Sequence, residues 1–178
     1  MHRLFVAIRP PAQIRAQLLD MMEGVAGARW QDDDQLHLTL RFIGEVDGRV
    51  AEDVAAALGT IRHAPFAIAL EGVGTFGSRG RINALWAGVR PHDALAHLHR
   101  KVDQALVRAG LEPEHRAYLP HITLARFGRD TGGLAGFVQT HAGLHSTPFE
   151  TTHFALYESV LGQAGATYTM VDRYTLAS

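Results

Sequence analysis

The chain has 178 residues, a formal net charge of −1 and a hydrophobic fraction of 47%. This is the composition of a globular protein, and a charge near zero excludes a strong overall field that would draw the chain to nucleic acid or to a membrane surface. The sequence contains no cysteine, which excludes disulfides, thiolate nucleophiles and cysteine-ligated zinc. Because no apolar run approaches the length of a transmembrane helix, we expect a cytoplasmic protein with no membrane span.

Hydrophobic periodicity predicts a compact α+β protein. Apolar alternation marks the strands, whereas apolar residues recurring at helical spacing between glycine and proline signals mark the helices. In chain order the predicted elements are a strand at 3–8, a helix at 12–22, a strand at 35–44, a helix at 49–59, strands at 65–73 and 81–89, a helix at 93–110, a strand at 120–127, a short helix near 133–141, and a closing strand pair at 149–161 and 166–176.

Two of these strands contain nearly the same four residues, HLTL at 37–40 and HITL at 121–124. Side chains two residues apart point to the same face of a strand. His37 and Thr39 are therefore expected to share one face, and His121 and Thr123 likewise, while the leucine and isoleucine between them enter the core. An imidazole and a hydroxyl at this separation are able to contact one tetrahedral anion.

Two such pairs facing one cleft would suit acid–base chemistry at phosphorus. One histidine would accept a proton from the attacking water, and the other would give a proton to the leaving oxygen. This chemistry requires no metal and no cofactor, because imidazole titrates near neutral pH and the charge of the anion is met by hydroxyl groups and an arginine. Spacing alone leaves a catalytic pair and ordinary strand residues as equally open interpretations.

The sequence resembles the RNA 2′,3′-cyclic phosphodiesterases, also called 2′-5′ RNA ligases, of the two-histidine (2H) phosphoesterase superfamily. The resemblance extends from Arg3 to Leu176 and rests on RLFVAIRPP, ARWQDDDQLHLTLRFIGEV, LWAGV, LPHITLARF and LYESVLGQAGATYTMVDRYTL, in this order. It implies a bilobal α+β fold over residues 1–178, in which two pseudo-symmetric lobes of antiparallel sheet flanked by helices surround a central cleft. It also implies hydrolysis of an RNA terminal 2′,3′-cyclic phosphate to a 2′-phosphomonoester.

The resemblance assigns roles to five residues. His37 matches the proton donor to the leaving 3′ oxygen, and His121 matches the proton acceptor for water. Thr39 and Thr123 match phosphate-binding threonines, and Arg126 matches an arginine near the phosphate. Strand alternation starts Arg126 on the face opposite the second motif, so it needs a bulge or a strand end to reach the phosphate.

Three further residues are candidates for the cleft, each with an alternative. Arg41 has the strand phase of His37 and Thr39, and a surface ion pair is the competing interpretation. Trp30 and Tyr118 are candidates for contact with a base, and core packing is the alternative for both.

Two other patterns are weaker. GVGTFG at 72–77 fits a dinucleotide-binding fingerprint, but the residues after it predict a turn and a strand where that fingerprint requires a helix. His141 and His145 have metal-ligand spacing, but Gly143 interrupts the helix and no third ligand is evident. We therefore expect no metal at this position.

The expected partners are RNA ends or nucleotides that carry a 2′,3′-cyclic phosphate, and the expected state is a monomer. Two alternatives to hydrolysis remain at this point. One is 2′-5′ ligation of tRNA halves, which is reverse transesterification in the same pocket. The other is a non-catalytic module that binds RNA or phosphate.

Overall fold

The computed structural model describes the backbone of residues 1–178 and every side chain except that of Asp130. It contains nine strands, four α-helices and a short 3₁₀ helix at Asp33–Gln35. The strands are β1 (His2–Ile8), β2 (Ala26–Trp30), β3 (Leu38–Val46), β4 (Phe66–Ser78), β5 (Arg81–Arg90), β6 (His121–Gly132), β7 (Phe149–Thr151), β8 (His153–Gly162) and β9 (Gly165–Thr175). The helices are α1 (Ala12–Asp20), α2 (Gly48–Leu58), α3 (Asp93–Arg108) and α4 (Leu134–Thr140).

Every element predicted from the sequence is present, and the α+β class with antiparallel sheet is confirmed. Strand β2 was not predicted. It is short, it contains Gly27 at a positive φ of 77°, and it pairs only with β6, so its existence depends on a distant partner. The single strand expected from residue 149 is divided into β7, which pairs with β4, and β8, which pairs with β1.

The sheet consists of two halves with a narrow junction between them. Strands β7, β4, β5 and β6 follow one another in the first half, β3, β1, β8 and β9 in the second, and β2 is added to β6. All pairings between these strands are antiparallel. The halves meet through β3 and β6, for which one register pair, Leu38 with Ile122, is formed. The sheet therefore opens on both sides of that pair.

Both halves contribute to one hydrophobic core beneath the sheet. Leu38 and Ile122 are fully buried in it, together with four residues that form an apolar stripe along α3: Leu95, Leu98, Val102 and Leu106. Helix α3 packs against both α2 and β3. Among the described residues, no helix is both long and apolar enough to cross a membrane.

Both motif strands contain a bulge immediately after the threonine. On β3, the partner strand shifts from Thr39 to Arg41 and leaves Leu40 as the extra residue. On β6 the partner shifts from Thr123 to Ala125 and leaves Leu124 as the extra residue. A bulge reverses the inward and outward alternation of the residues after it.

The first bulge overturns the expectation for Arg41. Arg41, a candidate for the cleft, is buried on the opposite face, and the next residue, Phe42, is 48% exposed. Arg41 Nε donates to Asp103 of α3 at 3.0 Å, and the guanidinium also donates to the carbonyls of Phe42 and Glu112. Arg41 thus ties β3 to α3 through a largely buried ion pair, which excludes it from the cleft.

Candidate active site

The junction between β3 and β6 brings the two motifs side by side. Because the strands are antiparallel and Leu38 is the partner of Ile122, continuing the register by one residue puts His37 beside Thr123 and Thr39 beside His121. The two histidines and two threonines therefore form a four-cornered group around a pseudo-twofold axis, on the face opposite the core.

A cleft of about 650 Å³ opens over this group. Its lining includes His37, Thr39, Thr123 and Arg126. His121 stands at the margin: its ring packs edge-on against Phe76, with centroids 4.8 Å apart, and near Trp86 at 6.0 Å. The structure thus brings together the four motif residues and Arg126, with three of the motif side chains lining the cleft directly.

Both imidazoles are oriented by the same backbone contact. His37 Nδ1 lies 3.1 Å from the Gln35 carbonyl oxygen, and His121 Nδ1 lies 2.7 Å from the Leu119 carbonyl oxygen. A carbonyl only accepts, so each Nδ1 carries the hydrogen, and each Nε2 is left with a lone pair for proton transfer. His37 Nε2 is buried and has no hydrogen-bond partner among the described atoms.

Aromatic rings enclose His37. Phe5, Tyr157 and Tyr168 lie around it, with ring centroids 5.9, 4.6 and 5.4 Å from the imidazole, and only 6% of His37 is exposed. This burial lowers the pKa of His37 from 6.5 to about 4, although the Gln35 carbonyl opposes the change. None of these rings was identified from the sequence, because they come from three different strands.

Burial also lowers the pKa of His121, and the positive charge of Arg126 lowers it further. Both imidazoles are therefore neutral at pH 7 in the free protein. A bound anion would reverse this tendency, since an adjacent negative charge favours the protonated ring.

Tyr118 supports the first bulge from behind. Its hydroxyl donates to the Thr39 carbonyl at 3.0 Å, and its ring stacks on His99 with centroids 4.1 Å apart. His99 Nδ1 in turn donates to the Leu40 carbonyl at 2.7 Å. Tyr118 is not part of the cleft lining, so contact with a base is not its role in this structure; it holds the backbone that presents Thr39.

The second bulge brings Arg126 into the cleft, as its assignment near a phosphate requires. Arg29 on β2 is the register partner of Arg126 and lines the same cleft. Two arginines directly opposed on adjacent strands repel each other. With Arg3 also in the lining and no carboxylate among the lining residues, the cleft is strongly cationic.

Sequence reasoning missed Arg29 and Arg3. The sequence feature that could have indicated Arg29 is its position next to Trp30, a candidate for contact with a base. Trp30 lines the cleft and also packs against Phe137 of α4, with ring centroids 5.7 Å apart. Among the described side chains, no three His, Asp or Glu residues are grouped as ligands for a metal ion.

Known proteins resemble this chain over most of its length. The model of the LigT like phosphoesterase family matches residues 8–86 and 89–168, and each range contains one of the two motifs. The RNA 2′,3′-cyclic phosphodiesterase of Escherichia coli (strain K12) is 31% identical over 180 aligned residues, which cover 98% of this chain and 96% of that protein. The protein of the same name from Archaeoglobus fulgidus is 30% identical over 169 residues, which cover 93% and 96%.

Solved structures show the same fold. The structure of E. coli LigT in complex with 3′-AMP has a TM-score of 0.78 and 28% identity to this chain, and 99% of each chain is covered. A structure described as a phosphoesterase has a TM-score of 0.79 with the same identity and coverage.

The opposed arginines lead to a prediction about stability and binding. Replacing Arg29 with Gln should raise the free energy of unfolding by about 0.5 kcal/mol, because it removes like-charge repulsion across β2 and β6. The same change should weaken binding of inorganic phosphate. Urea unfolding and calorimetric titration measure the two effects, with Arg49→Gln on the exposed face of α2 as the control. A loss of stability without a loss of phosphate binding would contradict the interpretation.

The buried His37 predicts sensitivity to acid. Its pKa is about 4 in the folded protein against a usual 6.5, so the unfolded chain takes up the proton more readily. Above pH 6.5 the titration of His37 has no effect on the free energy of unfolding. As the pH falls from 6.5 to 4 it destabilises the fold increasingly, by about 3 kcal/mol at pH 4. Urea unfolding from pH 7 to 4 should show a smaller loss for His37→Gln than for the wild type. If the free energy of unfolding changed with pH in the same way for both proteins, His37 would not have a lowered pKa.

Proposed function

This chain belongs to the LigT like phosphoesterase family, and we propose from that membership and from its cleft that it hydrolyses the terminal 2′,3′-cyclic phosphate of RNA to a 2′-phosphomonoester. The observation that supports the proposal most strongly is the antiparallel register of the two motifs. It sets an imidazole and a hydroxyl on each side of a cationic cleft of nucleotide size.

In the proposed mechanism the Thr39 and Thr123 hydroxyls donate to the non-bridging oxygens of the cyclic phosphate, and Arg126 neutralises their charge. A water molecule attacks phosphorus while His121 Nε2 accepts its proton. The bond from phosphorus to the 3′ oxygen breaks, and that oxygen takes a proton from His37 Nε2. The phosphoryl group stays on the 2′ oxygen, His121 is left protonated and His37 is left neutral, so the enzyme releases one proton and takes up another before the next turnover.

The free protein is not in the protonation state that this mechanism needs. The negative charge of the substrate raises the pKa of His37 and so favours the protonated ring. His37 is neutral at pH 7 when the cleft is free, whereas a general acid must carry a proton. The phosphodiester anion raises the pKa of the adjacent imidazole, most strongly inside a pocket with little water. The hydrogen bond from Nδ1 to the Gln35 carbonyl is compatible with both states, so His37 gains its proton on Nε2, which has no hydrogen-bond partner among the described atoms.

Hydrolysis is favoured over the two alternatives by specific observations. The curated relatives carry the name of the phosphodiesterase activity, and a binding-only module would not need two imidazoles held with free Nε2 atoms. Ligation of a 2′-5′ linkage would use the same residues in reverse. Analysis of the products formed from tRNA halves distinguishes the two directions.

We further propose that residues 1–178 act as one two-lobed domain and as a monomer in the cytoplasm. One hydrophobic core spans both halves of the sheet, and the cleft is built from residues of a single chain.

The proposed acid and base predict a severe loss of activity in single variants. His37→Gln and His121→Gln should each lower kcat/KM for adenosine 2′,3′-cyclic phosphate by about 10²- to 10⁴-fold in the presence of EDTA. The wild-type profile of kcat/KM against pH should be bell-shaped, with a maximum below pH 6.5, because both histidines have lowered pKa values in the free protein. His97→Gln, on the exposed face of α3, is the control. Full activity in either of the first two variants would exclude that residue from proton transfer.

A further inference from the structure

The cleft continues past the motif residues along β1 and β3. Phe5 and Phe42 are register partners on these strands, and both line the cleft. Arg3 lies two residues before Phe5, on the same face of β1, and also belongs to the lining. An exposed aromatic ring and an arginine therefore form a surface of the cleft beside the motif residues.

The Arg3 guanidinium is positioned by the Phe42 ring and is available to a ligand. Its Cζ atom lies 5.2 Å from the centroid of the Phe42 ring, a cation–π contact that fixes the guanidinium on the cleft side. Glu45 is the register partner of Arg3, yet Arg3 forms no ion pair with it or with any other carboxylate that the structure describes. A guanidinium that is pre-oriented and not neutralised offers a planar fork of donors that matches phosphate oxygens.

Arg3 is displaced from the motifs along β1. Thr39 is the register partner of Ala7. Arg3 lies four residues from Ala7 along β1, so the Cα atoms of these two residues are about 13 Å apart at 3.3 Å per residue. The cyclic phosphate carries a single negative charge, and Arg126 and Arg29 already flank its position. The charge of Arg3 is therefore directed at a second anion.

We propose that Arg3 and Phe42 form a second phosphate subsite, which binds the phosphate on the 5′ oxygen of the terminal nucleotide. This inference rests on the proposed function, in which the 2′,3′-cyclic phosphate of that nucleotide lies at the motifs. In RNA the 5′ phosphate is the link to the preceding nucleotide, and a free nucleoside cyclic phosphate lacks it. The subsite therefore selects the ends of RNA chains over free cyclic nucleotides, and Phe42 provides an apolar surface for the nucleoside between the two phosphates.

Matched ligands with and without a 5′ phosphate test the subsite. The first measurement is the ratio of kcat/KM for adenosine 2′,3′-cyclic phosphate with a 5′ phosphate to that for the same compound without one. The second is the ratio of the Kd values of 2′-AMP and adenosine 2′,5′-bisphosphate, which needs no turnover. Each ratio should favour the 5′-phosphorylated compound by roughly tenfold at fixed low salt, the effect of one charge-assisted hydrogen bond.

Variants assign the effect to its residues. Arg3→Gln should bring both ratios close to one, and Arg3→Lys should keep part of the preference, because it retains the charge without the fork. Arg49→Gln is the control for the loss of an exposed arginine and should leave both ratios as in the wild type. Phe42→Leu replaces a half-exposed ring and should reduce both ratios, because the guanidinium is no longer held.

The outcomes separate the subsite from the proposed function. Ratios of kcat/KM and Kd close to one in the wild type would overturn the subsite. Ratios in Arg3→Gln equal to those of the wild type would also overturn it. Phe42→Leu with equally weakened affinity for both ligands would overturn its role in holding Arg3 and would make it a contact of the terminal base alone. Absence of turnover for both substrates would overturn the proposed hydrolysis, and the Kd ratio would still decide the subsite.

Discussion

The pairing of Leu38 with Ile122 is the contact on which the rest of the site depends. It is the one place where the two halves of the sheet are hydrogen-bonded to each other, and it lies at the centre of both motifs. Both side chains are fully buried in the shared core, so separating the strands would expose apolar surface on each. Because the pairing is antiparallel, the histidine of one motif lies beside the threonine of the other.

The remainder of the site is built outward from this pair by two bulges, each of which buries one residue and turns the next one to the cleft. After the second motif the bulge sends Ala125 into the core and Arg126 into the cleft. After the first it buries Arg41 against Asp103 and exposes Phe42. The two halves thus use the same backbone irregularity, one to supply a cation for the phosphate and the other to supply an aromatic surface beside it.

The two histidines have similar backbone contacts but different surroundings. His37 is enclosed by three aromatic rings, whereas His121 lies at the margin of the cleft against Phe76 and Trp86. Trp86 is accommodated because position 74 on the neighbouring strand is glycine: a Cβ there would lie 2.3 Å from the indole ring. Burial lowers the pKa of both rings, so an anion bound beside them would favour their protonation.

The sequence predicted what depends on local pattern and missed what depends on pairing. The phase of His37 with Thr39 and of His121 with Thr123 follows from strand alternation, and the stripe of α3 follows from helical spacing. Alternation failed at Arg41 and Phe42, because a bulge is set by the register with β1 and leaves no mark in the residues of β3. Arg29 and Arg3 were missed for a related reason: β2 and β1 are brought to the cleft by partners distant in the sequence.

The central claim is that both imidazoles contact one anion, and nitrogen NMR of the histidine rings during titration with 2′-AMP tests it most directly. We expect the Nε2 resonances of His37 and His121 to move together, with a single Kd and in the direction of protonation, while both Nδ1 atoms remain protonated through their bonds to the carbonyls of Gln35 and Leu119. A response confined to one ring, or two rings with different Kd values, would contradict a shared phosphate site.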